Sequence, residues 1–154
     1  MKKILMIFAL VLILIVPFQA DQRYAKEFIA ADIDVADDTT VTDGDGDLTS
    51  VVVPIGNKDP TGLIEVWFTP AAPAAVNVDF EFAISSDNGV TFSTGTGSDA
   101  FIRIQVKSNV NAITSIVRAS TKCELHGATH IKLYRVVVGS GAGNCTDINA
   151  KVSL

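Results

Sequence analysis

The chain has little of what enzymes and nucleic-acid binders are built from. Its 154 residues include two cysteines, two histidines and one tryptophan, and only 7% are aromatic. The two cysteines show no C-x-x-C spacing for redox or zinc chemistry, and two thiolates alone cannot complete a tetrahedral metal site. No G-x-S-x-G elbow is present, and only two histidines could serve as a base, which weighs against a Ser-His-Asp hydrolase. Basic excess is missing as well: 12 Lys and Arg stand against 17 Asp and Glu, so no sequence-wide footprint for nucleic acid exists. After residue 30 no long stretch keeps an apolar stripe at helical spacing. With 48% hydrophobic and 19% charged residues, the sequence is still that of a one-domain globular chain.

What is present begins with one apolar run. Ile4 to Val16 follows Lys2 and Lys3 and leads into Pro17, Phe18, Gln19 and Ala20, the charged, apolar and small-residue order of a secretory signal peptide. As a helix the run spans about 20 Å, short of the ~30 Å hydrocarbon core, so cleavage after Ala20 is expected over anchoring. Phe18 is bulkier than the usual A-x-A site allows, and an uncleaved leader is the alternative and the one route to a membrane. The expected organisation is a signal helix over 1–20, an acidic N-terminal arm or first strand over 21–36, and a β domain over 37–154. Residues 21 to 59 hold ten acidic and three basic side chains, whereas 60 to 154 hold seven of each. In an oxidising compartment Cys123 and Cys145 read as one disulfide, a staple of about 3 kcal/mol.

The body reads as all-β. Val76, Val78, Phe80, Phe82 and Ile84 alternate with Asn77, Asp79, Glu81 and Ala83, the pattern of a strand with one buried and one wet face. Comparable runs predict strands at Phe28 to Val35, Leu48 to Ile55, Leu63 to Phe68, Val90 to Thr94, Phe101 to Lys107, Ala112 to Ala119, Thr129 to Val138 and Thr146 to Leu154. Turn-formers such as Asp43 to Asp47, Ser85 to Gly89 and Gly139 to Asn144 separate them. About nine short strands at such intervals indicate an antiparallel β-sandwich or jelly roll, with a closed barrel as second choice.

Several side-chain groups are candidates for chemistry. Asp43, Asp45 and Asp47 match the first three ligand positions of a calcium loop. Leu48 and Pro54 stand where that loop has its glycine and bidentate glutamate, so an EF-hand is rejected, leaving a looser surface calcium site or a solvated acidic turn. No other cofactor is indicated. Cys123, Glu124, His126 and His130 fall close together, but on one continuous strand the histidine Cα atoms would be about 13 Å apart, too far for one metal unless the chain turns at Gly127. The glycine-rich run from Gly139 to Gly143 lacks a P-loop lysine and reads as a loop. Asn144-Cys145-Thr146 satisfies the glycosylation acceptor rule but matters only in a host that glycosylates. Arg103, Lys107, Arg118, Lys122, Lys132 and Arg135 are spread along strands in the manner of a solvated sheet face.

Ser85 to Phe92, read as S-x-D-x-G-x-T-F, resembles a single Asp-box, a motif of sialidase-like propellers that also stands alone in other β proteins. The resemblance implies a hairpin turn built on Asp87, Asn88 and Gly89, and one copy cannot build a propeller. The segments SSDNGVTFST and ATHIKLYRVVV resemble pieces of the small β-sandwich proteins of phage virions and microbial surfaces, which implies a structural role with no catalytic residues to carry over. The main expectation is therefore an exported, non-enzymatic subunit of an extracellular filament, surface layer or virion. It would be a homo-oligomer whose acidic arm pairs along a neighbour's sheet edge, with Trp67 and Phe68 as contact surface if exposed. The alternative is a calcium-assisted carbohydrate-binding module, with a glycan or surface receptor as partner.

Overall fold

The computed structural model describes residues 25–29, 33–36, 39–44, 48–55, 61–71, 76–95, 102–108, 115–125, 127–139 and 144–154. The leader, residues 1–20, lies outside them. The described chain forms ten strands: β1 (Ala25–Glu27), β2 (Ile33–Val35), β3 (Thr40–Thr42), β4 (Val53–Pro54), β5 (Thr61–Pro70), β6 (Asn77–Ser85), β7 (Ile102–Lys107), β8 (Val117–Glu124), β9 (His130–Val138) and β10 (Cys145–Ser153).

The long strands follow from the period-two pattern. In β5, Ile64, Val66 and Phe68 are buried while Leu63, Glu65 and Trp67 face outward; in β9, Ile131, Leu133, Val136 and Val138 turn inward. Each alternating face must be covered, and the two sheets cover each other. The first sheet runs β1-β10-β5-β8, with β2 on the same side of β10 as a continuation of β1. The second runs β3-β9-β6-β7, with β4 continuing β3 along β9. Counting β1 with β2 and β3 with β4 as interrupted single strands leaves two four-stranded antiparallel sheets in the strand order of a jelly roll.

The core between the sheets is apolar, with Phe28, Phe68, Phe80 and Phe82 as its largest side chains. Phe28 and Phe82 meet at 5.0 Å between ring centroids, tilted by 57°, a favourable arrangement for two ring quadrupoles. A bulge in β9 sets the outer surface of the second sheet. Glu81 opposes Arg135 but Phe82 opposes Leu133, leaving Tyr134 as the extra residue. Tyr134 and Arg135 therefore both turn outward while the residues on either side stay in the core.

Of the two readings of 21–36, arm or first strand, the described residues take the strand form: β1 and β2 pair with β10 of their own chain, and Phe28 and Ile29 are core residues. Other expected elements are corrected. No strand forms over 90–94, where Ser93 is tied to β6 by its N–H, which donates to the Ile84 carbonyl, and by its hydroxyl, which accepts from Ile84 N. The strand expected over Leu48 to Ile55 shrinks to two residues, and the one expected over Ala112 to Ala119 lies further on, at Val117–Glu124. Conversely β3 arises inside the stretch that reads as an acidic turn, because Val41 is buried against β9.

Candidate functional site

The cysteines do not form the expected disulfide. Cys123 lies opposite Gly62 and Cys145 opposite Pro70, at the two ends of β5 and on different sides of it. Those anchors are eight positions apart, which separates the Cα atoms by about 25 Å or more, where a disulfide needs roughly 4.4–6.8 Å. Both side chains are buried, burial pushes the Cys123 thiol pKa up, and its Sγ contacts the Thr121 carbonyl at 3.7 Å. Neither is poised as a nucleophile. We expect the unreduced chain to titrate two thiols after denaturation and almost none before it; no thiols after denaturation would show a bridge and contradict this strand order.

Of the calcium candidates, Asp45 and Asp47 lie outside the described residues. Asp43 carries two bonds already: its Oδ1 accepts from Ser50 N at 3.0 Å, and its Oδ2 meets the Lys132 ammonium at 2.7 Å. That arrangement closes a loop against β9 and sets a cation where calcium would have to sit. Among the described residues no three His, Cys, Asp or Glu side chains group as a metal site. His126 is outside the described set, and the ring of His130 lies against Gly89, with Nδ1 3.1 Å from Thr129 Oγ1.

Asp87, Asn88 and Gly89 form a tightly bonded turn after β6. Asp87 accepts from the Ser85 hydroxyl at 2.6 Å, from Thr91 N at 2.9 Å and from the Thr91 hydroxyl at 2.6 Å. These donors, Ser85 first, hold its carboxyl well below the usual carboxylate range. Asn88 and Gly89 both take positive φ, 60° and 81°, which asparagine and glycine tolerate best. The turn is pinned to the start of β9, since Asn88 N donates to Thr129 Oγ1 and Thr129 N donates to the Ser85 carbonyl.

The face of β6 that reads as wet is buried. Glu81 is 1% exposed and accepts two bonds from Arg135, at 2.7 and 2.9 Å, across the ladder to β9. Asp79, 8% exposed, pairs with Arg103 on β7. Arg103, Lys132 and Arg135 are thus cross-strand ion-pair partners, and Arg118 lies over the Trp67 ring at 5.4 Å. The solvated face expected for these cations holds for Arg103, Lys107, Arg118 and Lys122, which are exposed, whereas Lys132 and Arg135 are half-buried against acids that lie far away in sequence.

The remaining surface of note is a strand edge. β8 has eight residues, is the outermost strand of its sheet, and among the described residues pairs only with β5. The other edges are shorter: three residues each in β1, β2 and β3, two in β4 and six in β7. Arg118, Ser120, Lys122 and Glu124 are exposed on the outer face. Thr121 opposes the buried Ile64 on the inner face yet is exposed as well. A row of unpaired backbone groups of this length is a template for another strand.

This fold and edge define an antiparallel jelly-roll sandwich. No protein-family model matches the chain, and no curated protein does. Among the solved structures to which the chain is weakly similar are two. One, from the disulfide-linked pili formed by Bacillus endospore appendages, is 14% identical with a TM-score of 0.33 over 84% of each chain. The other, the CBM35 of Paenibacillus barcinonensis, is 16% identical with a TM-score of 0.35, covering 85% of this chain and 98% of its own.

Proposed function

We propose that the chain is an exported, non-enzymatic structural subunit that works by self-assembly in an extracellular filament, surface layer or virion. The observation that carries the reading is β8, the longest and most exposed strand edge among the described residues. A monomer would be expected to blunt such an edge, as the interrupted strands β1 with β2 and β3 with β4 do on the opposite side. The leader-like N-terminus supplies the route of export, and no described helix is long and apolar enough to cross a membrane. The carbohydrate reading has less support. Asp43 is occupied by Lys132 and Ser50, and the Arg118 guanidinium covers one face of the Trp67 ring on which a sugar would stack.

Alternate residues of an edge strand direct their N–H toward the neighbouring strand and toward solvent. Ser120→Pro and Thr121→Pro therefore differ: one removes a bond to β5, the other a donor offered outward. We expect light scattering of the full chain to show mass rising with concentration. The outward-donor variant should stay monomeric with wild-type Tm, and the other should melt lower. A wild-type chain that is monomeric at every concentration would overturn the reading.

A further inference from the structure

We infer that β8 pairs antiparallel with β8 of a second copy, with Thr121 on the two-fold axis, so that Arg118 of each copy faces Glu124 of the other. The inference rests on the assembly reading above and adds the partner strand and its register.

Symmetry and side-chain direction restrict the options. In a two-fold antiparallel pair, residues equally distant from the axis along the strand oppose each other. An axis between two residues would set outward side chains beside inward ones, so the axis passes through a residue and outer faces meet outer faces. Placing it at Ser120 opposes Arg118 and Lys122 twice, like charges in both pairs. Placing it at Lys122 sets that lysine against its own copy. An axis at Ala119 or Cys123 overlaps only part of the strand. An axis at Thr121 overlaps 118 to 124, matches Arg118 with Glu124 twice, and sets Lys122 beside Ser120, leaving no like-charge pair.

The same register explains an oddity of exposure. Thr121 points to the inner side of the sheet, opposite Ile64, but is open to solvent, and among the described residues no strand continues the sheet beyond β8. A second β8 would close that gap from both copies at once and join the two four-stranded sheets into one of eight strands.

The test uses the full-length chain. Arg118→Glu and Glu124→Arg should each weaken association by about tenfold or more, since two attractive pairs become two repulsive ones, and the double variant should return to near wild-type affinity. Rescue by the double variant separates the interfacial pairing from loss of the Arg118 contact with Trp67. Thr121→Cys should form a covalent dimer under mild oxidant, because opposed Cα atoms lie about 5 Å apart. Ser120→Cys should not, its two copies being about 8 Å apart. Association that ignores both charge variants, or a cross-link at Ser120 in place of Thr121, would overturn this register while leaving the assembly reading intact. A wild-type chain that never associates overturns both.

Discussion

Phe28→Ala is expected to lower the unfolding free energy by about 4 kcal/mol, the upper part of the range for large-to-small changes in a packed core. The ring is 0% exposed and stacks obliquely on Phe82. Truncation loses the transferred apolar area, leaves a cavity the surrounding strands cannot fill, and removes the aromatic pair. The backbone here is fixed independently: Phe28 N donates to the Ala150 carbonyl at 2.8 Å, and Val51 N donates to the Phe28 carbonyl at 2.6 Å. The local chain therefore stays in place and the cavity persists. Denaturant unfolding followed by Trp67 fluorescence measures the change, with the m-value held. The experiment also separates two pictures of the N-terminal segment, since a detachable arm would show a change below about 0.5 kcal/mol.

Arg135→Ala should cost about 3 kcal/mol or more, for a different reason. Glu81 sits at the centre of the second sheet, 1% exposed, and its two oxygens accept from Nε and Nη2 of Arg135. Removing the guanidinium takes away the two bonds that the buried carboxylate accepts from it and leaves Arg103, opposite on β7 and already paired with Asp79, as the nearby cation, which is more harmful than losing a surface ion pair. A combined Glu81→Leu, Arg135→Leu variant should recover much of the loss, because an apolar pair carries no desolvation penalty. If the single variant melts within a degree or two of wild type, the pair is solvated and the burial of Glu81 has been misread.

How much of this was legible in the sequence depends on how local the information was. The alternation through Val78, Phe80 and Phe82 is a property of neighbouring residues, and it predicts β6 and the sandwich correctly. Strands β5, β7, β9 and β10 follow from similar runs. Pairings between distant segments are different in kind. Glu81 reads as solvent-facing because its partner lies 54 positions away, on a strand whose register is set by the bulge at Tyr134. Asp43 reads as a calcium ligand because its acidic neighbours are adjacent in sequence, while Lys132 is 89 positions distant. The disulfide expectation failed likewise: a short loop between Cys123 and Cys145 says nothing about β5 lying between their strands and separating them along its full length. Short edge strands such as β3 and β4 carry too few residues for any period to register.

The first sheet has an order-of-synthesis consequence. Of its described strands β10 is made last, yet β1, β2 and β5 all use it as a partner. Until residues 145–153 leave the ribosome, β1 and β2 lack the strand they pair with, and Phe28 has no Ala150 carbonyl to bond. The first sheet therefore closes only after β10 has been made, by pairing segments far apart in sequence, a non-local closure that is intrinsically slow.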